Sequence, residues 1–192
     1  MPSQIRLFIS GGPDQEPARE LLGRALAEFP VNVGWVIKRT PKVDSVAESH
    51  LFLMLLGADI TAPVGLELYW ARRTEKPILA YRADVIRTPA GQVFVQENTG
   101  LDWRRYSELA MLRRYVIADL SRFLLAHAER YGVTVLETQR LHVHIAALEK
   151  APAVEPGAAS APPKPFGASG GGVILAPGKD EPRGARLVGE PG

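Results

Sequence analysis

The acid most able to do chemistry in this chain is Glu67. It stands in the segment GADITAPVGLELYWARRTEKP, between two apolar runs, Leu51–Leu56 and Pro77–Tyr81. Two short apolar runs around one helical pattern predict a strand, a loop, a helix and a strand, the βαβ unit of a parallel sheet. With Gly65 closing the loop, Glu67 is expected in the first helical turn, at the carboxyl edge of the sheet, where α/β folds place their ligands. A helix N-terminus favours a negative charge and would hold the carboxyl ionised. An acid so placed suits a nucleophile or a stabiliser of positive charge better than a general acid. The simpler alternative is a glutamate that only favours the helix dipole. Helical spacing sets Glu67 on a face with Trp70 and Ala71, which fits the wall of a pocket with a ring for stacking.

Three residues after the first apolar run, Ser10, Gly11 and Gly12, form a second candidate element. Glycines there let the backbone approach a ligand, and free N–H groups can bind an anion. The segment reads GGPDQEP, not GxGxxG, and Pro13 removes one donor, so a plain tight turn is the competing reading. Asp14 is expected either to cap the following helix or to meet a ligand hydroxyl, with capping the preferred reading. Asp44 and Glu48 are read as solvated and Trp35 as a core residue. His142 and His144 would share a face if they lay on a strand, but no third ligand is identifiable and no metal is expected. The arginine pairs at 72–73, 104–105 and 113–114 read as solvated helix faces. The chain has no cysteine, which removes disulfides, thiolate metal sites and cysteine nucleophiles. No Ser/His/Asp order, P-loop or kinase motif is present.

The elements that must position these residues follow from the pattern. Ile5–Ser10 reads as a strand, and Arg19–Phe29, with Leu22, Ala25, Leu26 and Phe29 on one stripe, as an amphipathic helix that Pro30 stops. Val31–Ile37 alternates and reads as a strand. Lys38–Ser49 reads as a loop or a short helix. Val85-Ile86 and Val93–Val95 flank the turn Thr88–Gly91 and predict a small hairpin or edge strands. Asp102 is placed to cap a long helix from Trp103 to about Arg130, ended by Gly132. Thr134–Lys150 is ambiguous, since LHVHI alternates with period two while Leu141, Ile145 and Leu148 fit a helix; the surrounding Glu, Gln, Arg and Ala favour a further helix. In the last 42 residues, 17 are Pro or Gly. Such a composition cannot offset its ordering entropy, so a domain at 1–150 and a disordered tail at 151–192 are expected.

The chain of 192 residues is long enough for one domain with a substantial core, and its hydrophobic content of 46% is ordinary. A net charge of +2 gives no case for nucleic acid. The N-terminal residues show no signal-peptide core, and no apolar run approaches the roughly 20 residues of a membrane helix. The expectation is a cytoplasmic protein without membrane contact.

Two segments carry a family likeness. IRLFISGGPDQEPARELLGRAL is similar to the opening strand, Gly-Pro turn and helix of nucleoside 2-deoxyribosyltransferases. GLELYWARRTEKPILAY is similar to their segment in which a glycine precedes a glutamate and Lys-Pro leads the next strand. TIR-like domains of bacterial defence and signalling resemble the same order of strand, Glu-bearing helix and Lys-Pro strand. The likeness covers about residues 4–82. The usual aspartate and Gly-Thr pair before the helix are replaced here by ADITAPVG. The resemblance implies a flavodoxin-like three-layer α/β sandwich, with a central parallel sheet of four to five strands and long C-terminal helices. It implies cleavage of an N-glycosidic bond in NAD or a nucleoside. Glu67 would be the catalytic carboxylate, and Ser10, Gly11, Gly12, Asp14, Gly65 and Trp70 would be the substrate contacts. No cofactor would be required beyond the nucleotide itself. Non-catalytic nucleotide sensing is an alternative. So is assembly with a second copy or another protein partner.

Overall fold

The computed structural model describes residues 4–31, 34–38 and 43–150. The tail expected at 151–192 lies outside the described residues. Five strands form one parallel sheet: β1 (Gln4–Gly11), β2 (Gly34–Lys38), β3 (Leu51–Leu56), β4 (Ile78–Ala83) and β5 (Trp103–Tyr106). Their order, β2-β1-β3-β4-β5, is the flavodoxin-like order. The chain leaves β1 in one direction to make β2, then returns to its other side for β3. That reversal opens a crevice at the carboxyl ends of β1 and β3.

Helices cover both faces. Leu7 and Ile9 of β1 and the odd-numbered leucines of β3 pack against α1 (Glu16–Ala27) and α5 (Leu109–Ala126). Phe8, Phe52 and Met54 face α2 (Val43–Ala47) and α3 (Ala62–Arg73). All six residues of β3 are buried, as expected of a central strand with both faces covered. Alternation along β1 therefore decides what its last residues meet: Ile9 faces the α1 side, and Ser10 faces α3. α7 (Val135–Lys150) packs on α5, with Leu141 fully buried. The expected helix at Thr134–Lys150 is thus present, and His142 and His144 lie on it rather than on a strand.

Three expectations are corrected. The long helix from Trp103 is instead a strand followed by a helix that starts at Leu109. WRRY completes the sheet because its charges find remote partners. Arg104 reaches both carboxylate oxygens of Asp119, at 2.8 and 2.7 Å, and Arg105 reaches Asp84. Asp119 also accepts from the buried Tyr81 hydroxyl at 2.7 Å. The hairpin expected around Thr88–Gly91 is instead α4 (Pro89–Glu97), begun by Thr88, whose hydroxyl accepts from Gly91 N–H. A right-handed parallel crossover from β4 to β5 needs a covering element there, and this overrides the β-preference of Val93, Phe94 and Val95. Gly65 does not close a loop; it lies inside α3, which starts at Ala62 behind the N-cap Thr61. Glu67 therefore stands in the second helical turn. Gly132 does end the helical run: with φ 64° it caps the short α6 (Ala128–Tyr131) in the left-handed conformation.

Candidate ligand-binding site at the carboxyl edge of the sheet

The crevice holds a cavity of about 680 Å³, lined by Gly11, Pro13, Arg19, Thr61, Pro63 and Glu67 among others. Its floor is the end of β1, one wall is the start of α1 and the other is the start of α3. The volume falls within the roughly 300–1,000 Å³ of small-molecule sites.

Glu67 is 8% exposed and its carboxylate forms part of the wall. Ser10, 1% exposed, donates its hydroxyl to Glu67 Oε2 at 2.5 Å. This bond exists because both residues face the same side of the sheet, Ser10 by strand alternation and Glu67 by the helical stripe that also buries Val64, Leu68 and Ala71. Burial pushes the Glu67 carboxyl above its ordinary value; the Ser10 hydroxyl and the Arg19 charge pull the other way and do not cancel it. The sequence-based expectation of a lowered value is corrected. The dipole acts within the first turn, and Glu67 lies beyond it, where desolvation decides. Such a carboxyl holds protons more readily than a surface acid and is fixed in direction by one donor. It can stabilise a developing cation, attack an electron-poor carbon or exchange a proton with a bound ligand.

Arg19 was not among the residues singled out in the sequence. Its guanidinium donates to the carbonyls of Gly11 and Gly12 and to Glu16 Oε2 at 2.8 Å. The glycine turn thus presents carbonyls to an arginine. A cation so near a helix start runs against the dipole preference, and that was the signal available in the sequence.

Asp14 does not cap α1, whose first turn has no side-chain cap. Its carboxylate accepts from Ala58 N–H at 3.0 Å and from Gln15 Nε2 at 3.2 Å, and so ties the loop after β1 to the loop after β3. Gln15 extends the tie by accepting from the Tyr106 hydroxyl at 2.6 Å; burial, then the Asp14 charge, pushes that phenol up to about 12. Gly57 makes the approach possible: a Cβ there would stand 1.7 Å from Asp14 Oδ2.

The remaining residues named from the sequence stand apart from the cavity wall. A Cβ on Gly65 would meet nothing within 4 Å, so this glycine admits no close neighbour. Trp70 packs part-buried on the β3–α3 core, edge-on to Tyr69 and beneath Arg73. Trp35 packs part-buried against Phe29, and Glu48 pairs with Arg6. Among the described residues no group of three His, Cys, Asp or Glu is placed to hold a metal ion, and no helix is long and apolar enough to cross a membrane. No family model matches the chain, and neither a curated protein nor a solved structure matches it.

Proposed function

We propose that the cavity binds a ribosylated small molecule, NAD or a nucleoside, and that Glu67 acts on its N-glycosidic bond. One observation carries this reading. A single buried carboxylate, aimed by the Ser10 hydroxyl, lines a nucleoside-sized cavity at the strand-order switch. Departure of a base from C1′ leaves an oxocarbenium-like centre. A carboxylate below that carbon stabilises the charge or attacks to give a glycosyl-enzyme. The TIR-like and deoxyribosyltransferase-like resemblance of residues 4–82 supports the same role for Glu67. Its raised proton affinity makes the acid limb of the rate profile follow the Glu67 carboxyl, with activity rising as that group ionises.

The test is incubation of purified protein with NAD and with deoxynucleosides, monitoring free nicotinamide or base. Glu67→Gln keeps the shape and the hydrogen bond with Ser10. It is expected to lower turnover at least about a thousandfold while leaving ligand-induced thermal stabilisation in place. Turnover that survives this substitution refutes the assignment. Thermal stabilisation by the ligand with no turnover in the native chain moves the reading to nucleotide sensing without cleavage.

A further inference from the structure

A second site lies at the other end of the same sheet edge, and it does not depend on the reading of Glu67. Arg82 and Arg105 are register partners on β4 and β5. Neighbouring parallel strands are about 4.8 Å apart and paired residues point to the same face, so the two guanidinium stems rise side by side toward α4. Arg87 closes back over the end of β4, donating to the carbonyl of Ala83. Among the described residues one carboxylate serves this trio: Asp84, held by Arg105 at 2.5 Å. The Nε–H groups of Arg82 and of Arg87 are buried and meet no acceptor among the described residues. Beside them is a cavity of about 420 Å³ walled by Arg82, Arg87 and the α4 residues Gln92 and Gln96.

Three like charges gathered around one acid repel one another, and two buried donors without acceptors add a desolvation penalty. Burial and the charges of Arg82 and Arg105 weaken the hold of Arg87 on its own proton. A compact dianion in the cavity offsets the crowding of like charge. Guanidinium forks match the paired oxygens of a phosphoryl group, which carries about −1.5 to −2 charges near neutral pH. The two glutamine amides on α4 supply neutral donors across the cavity. We propose that the cavity walled by Arg82 and Arg87, beside the Arg105–Asp84 pair, is a binding site for the phosphoryl group of a small phosphorylated ligand.

Inorganic pyrophosphate is the probe, titrated calorimetrically into the full chain at constant ionic strength, with chloride as the ionic control. Saturable binding of pyrophosphate is expected in the native chain and in Glu67→Gln alike. Arg82→Gln and Arg87→Gln should each weaken it about ten- to a hundredfold, the loss of charge-assisted hydrogen bonds. Gln92→Glu and Gln96→Glu, exposed helix positions that fold without the arginines being touched, should weaken it through added negative charge. Native chain that fails to bind pyrophosphate, or binding that none of these four substitutions changes, overturns the proposal. Binding lost in Glu67→Gln but kept in the arginine variants overturns it as well, since the anion would then sit in the first cavity.

Discussion

Removing the Ser10 hydroxyl separates a buried, oriented carboxylate from a passive wall residue. In Ser10→Ala, Glu67 keeps its burial and loses the donor that lowers its proton affinity, so its folded value climbs further above the ordinary 4.5. The sign follows from linkage. A carboxyl whose folded value is raised contributes most below its unfolded value and loses that contribution as pH rises through the folded one. The substitution deepens that loss at neutral and alkaline pH. A hydrogen bond to an ionised acceptor is worth about 1.5–3 kcal/mol and one to a neutral acceptor about 0.5–1.5 kcal/mol. Ser10→Ala is therefore expected to destabilise by about 1.5–3 kcal/mol near pH 8 and by roughly half that near pH 4. For a domain of this size the first figure is a fall in Tm of roughly 3–12 °C. Repeating the substitution in Glu67→Gln, where the acceptor is a neutral amide, should leave the smaller, pH-independent figure. Urea unfolding followed by circular dichroism reads all four chains across the pH range. A cost that is the same at both pH extremes, or the same in both backgrounds, refutes the argument that Glu67 is held as a desolvated carboxylate.

Two further outcomes test the frame around the cavity. Gly57→Ala places a methyl where Asp14 lies and against the Gln15 amide, so it should destabilise by about 1–3 kcal/mol in urea unfolding, and an Asp14→Ala background should recover only the share due to Asp14. Thr88→Ala removes the α4 cap, about 1 kcal/mol in the same assay. It also removes the Thr88 hydroxyl that, ahead of the Ile60 N–H, holds the Asp59 carboxyl low. The Asp59 resonance in an NMR titration should then shift at a pH nearer 3.8, and the stability that this acid supplies above its ordinary value and loses on acidification should shrink.

Much of the architecture was readable because its signals are local. Leu51–Leu56 is continuous apolar chain because both faces of β3 are covered. α1 declares itself through helical spacing ahead of Pro30, whereas Thr134–Lys150 carried both a period-two and a helical pattern and is helical. The candidate acid was also readable, since Glu67 follows a central strand by a loop and a helix start. The segments that misled are those settled by distant partners. Trp103–Tyr106 has no apolar alternation, because Arg104 answers to Asp119 and Arg105 to Asp84, 15 and 21 residues away. Pro89–Glu97 is rich in β-formers and is helical because the crossover between β4 and β5 must be covered.

The sequence by itself determined a parallel α/β sheet, the succession of its first four strands along the chain and a short list of polar residues at its carboxyl edge. Only the tertiary structure decided the condition of those residues: that Glu67 is desolvated and tied to Ser10, that Asp14 joins two loops, and that Arg82 and Arg105 stand side by side. Local pattern records which way a side chain points along its own element. Proton affinity, charge crowding and cavity depth depend on what other elements bring within a few ångströms, and those neighbours are far away in the chain.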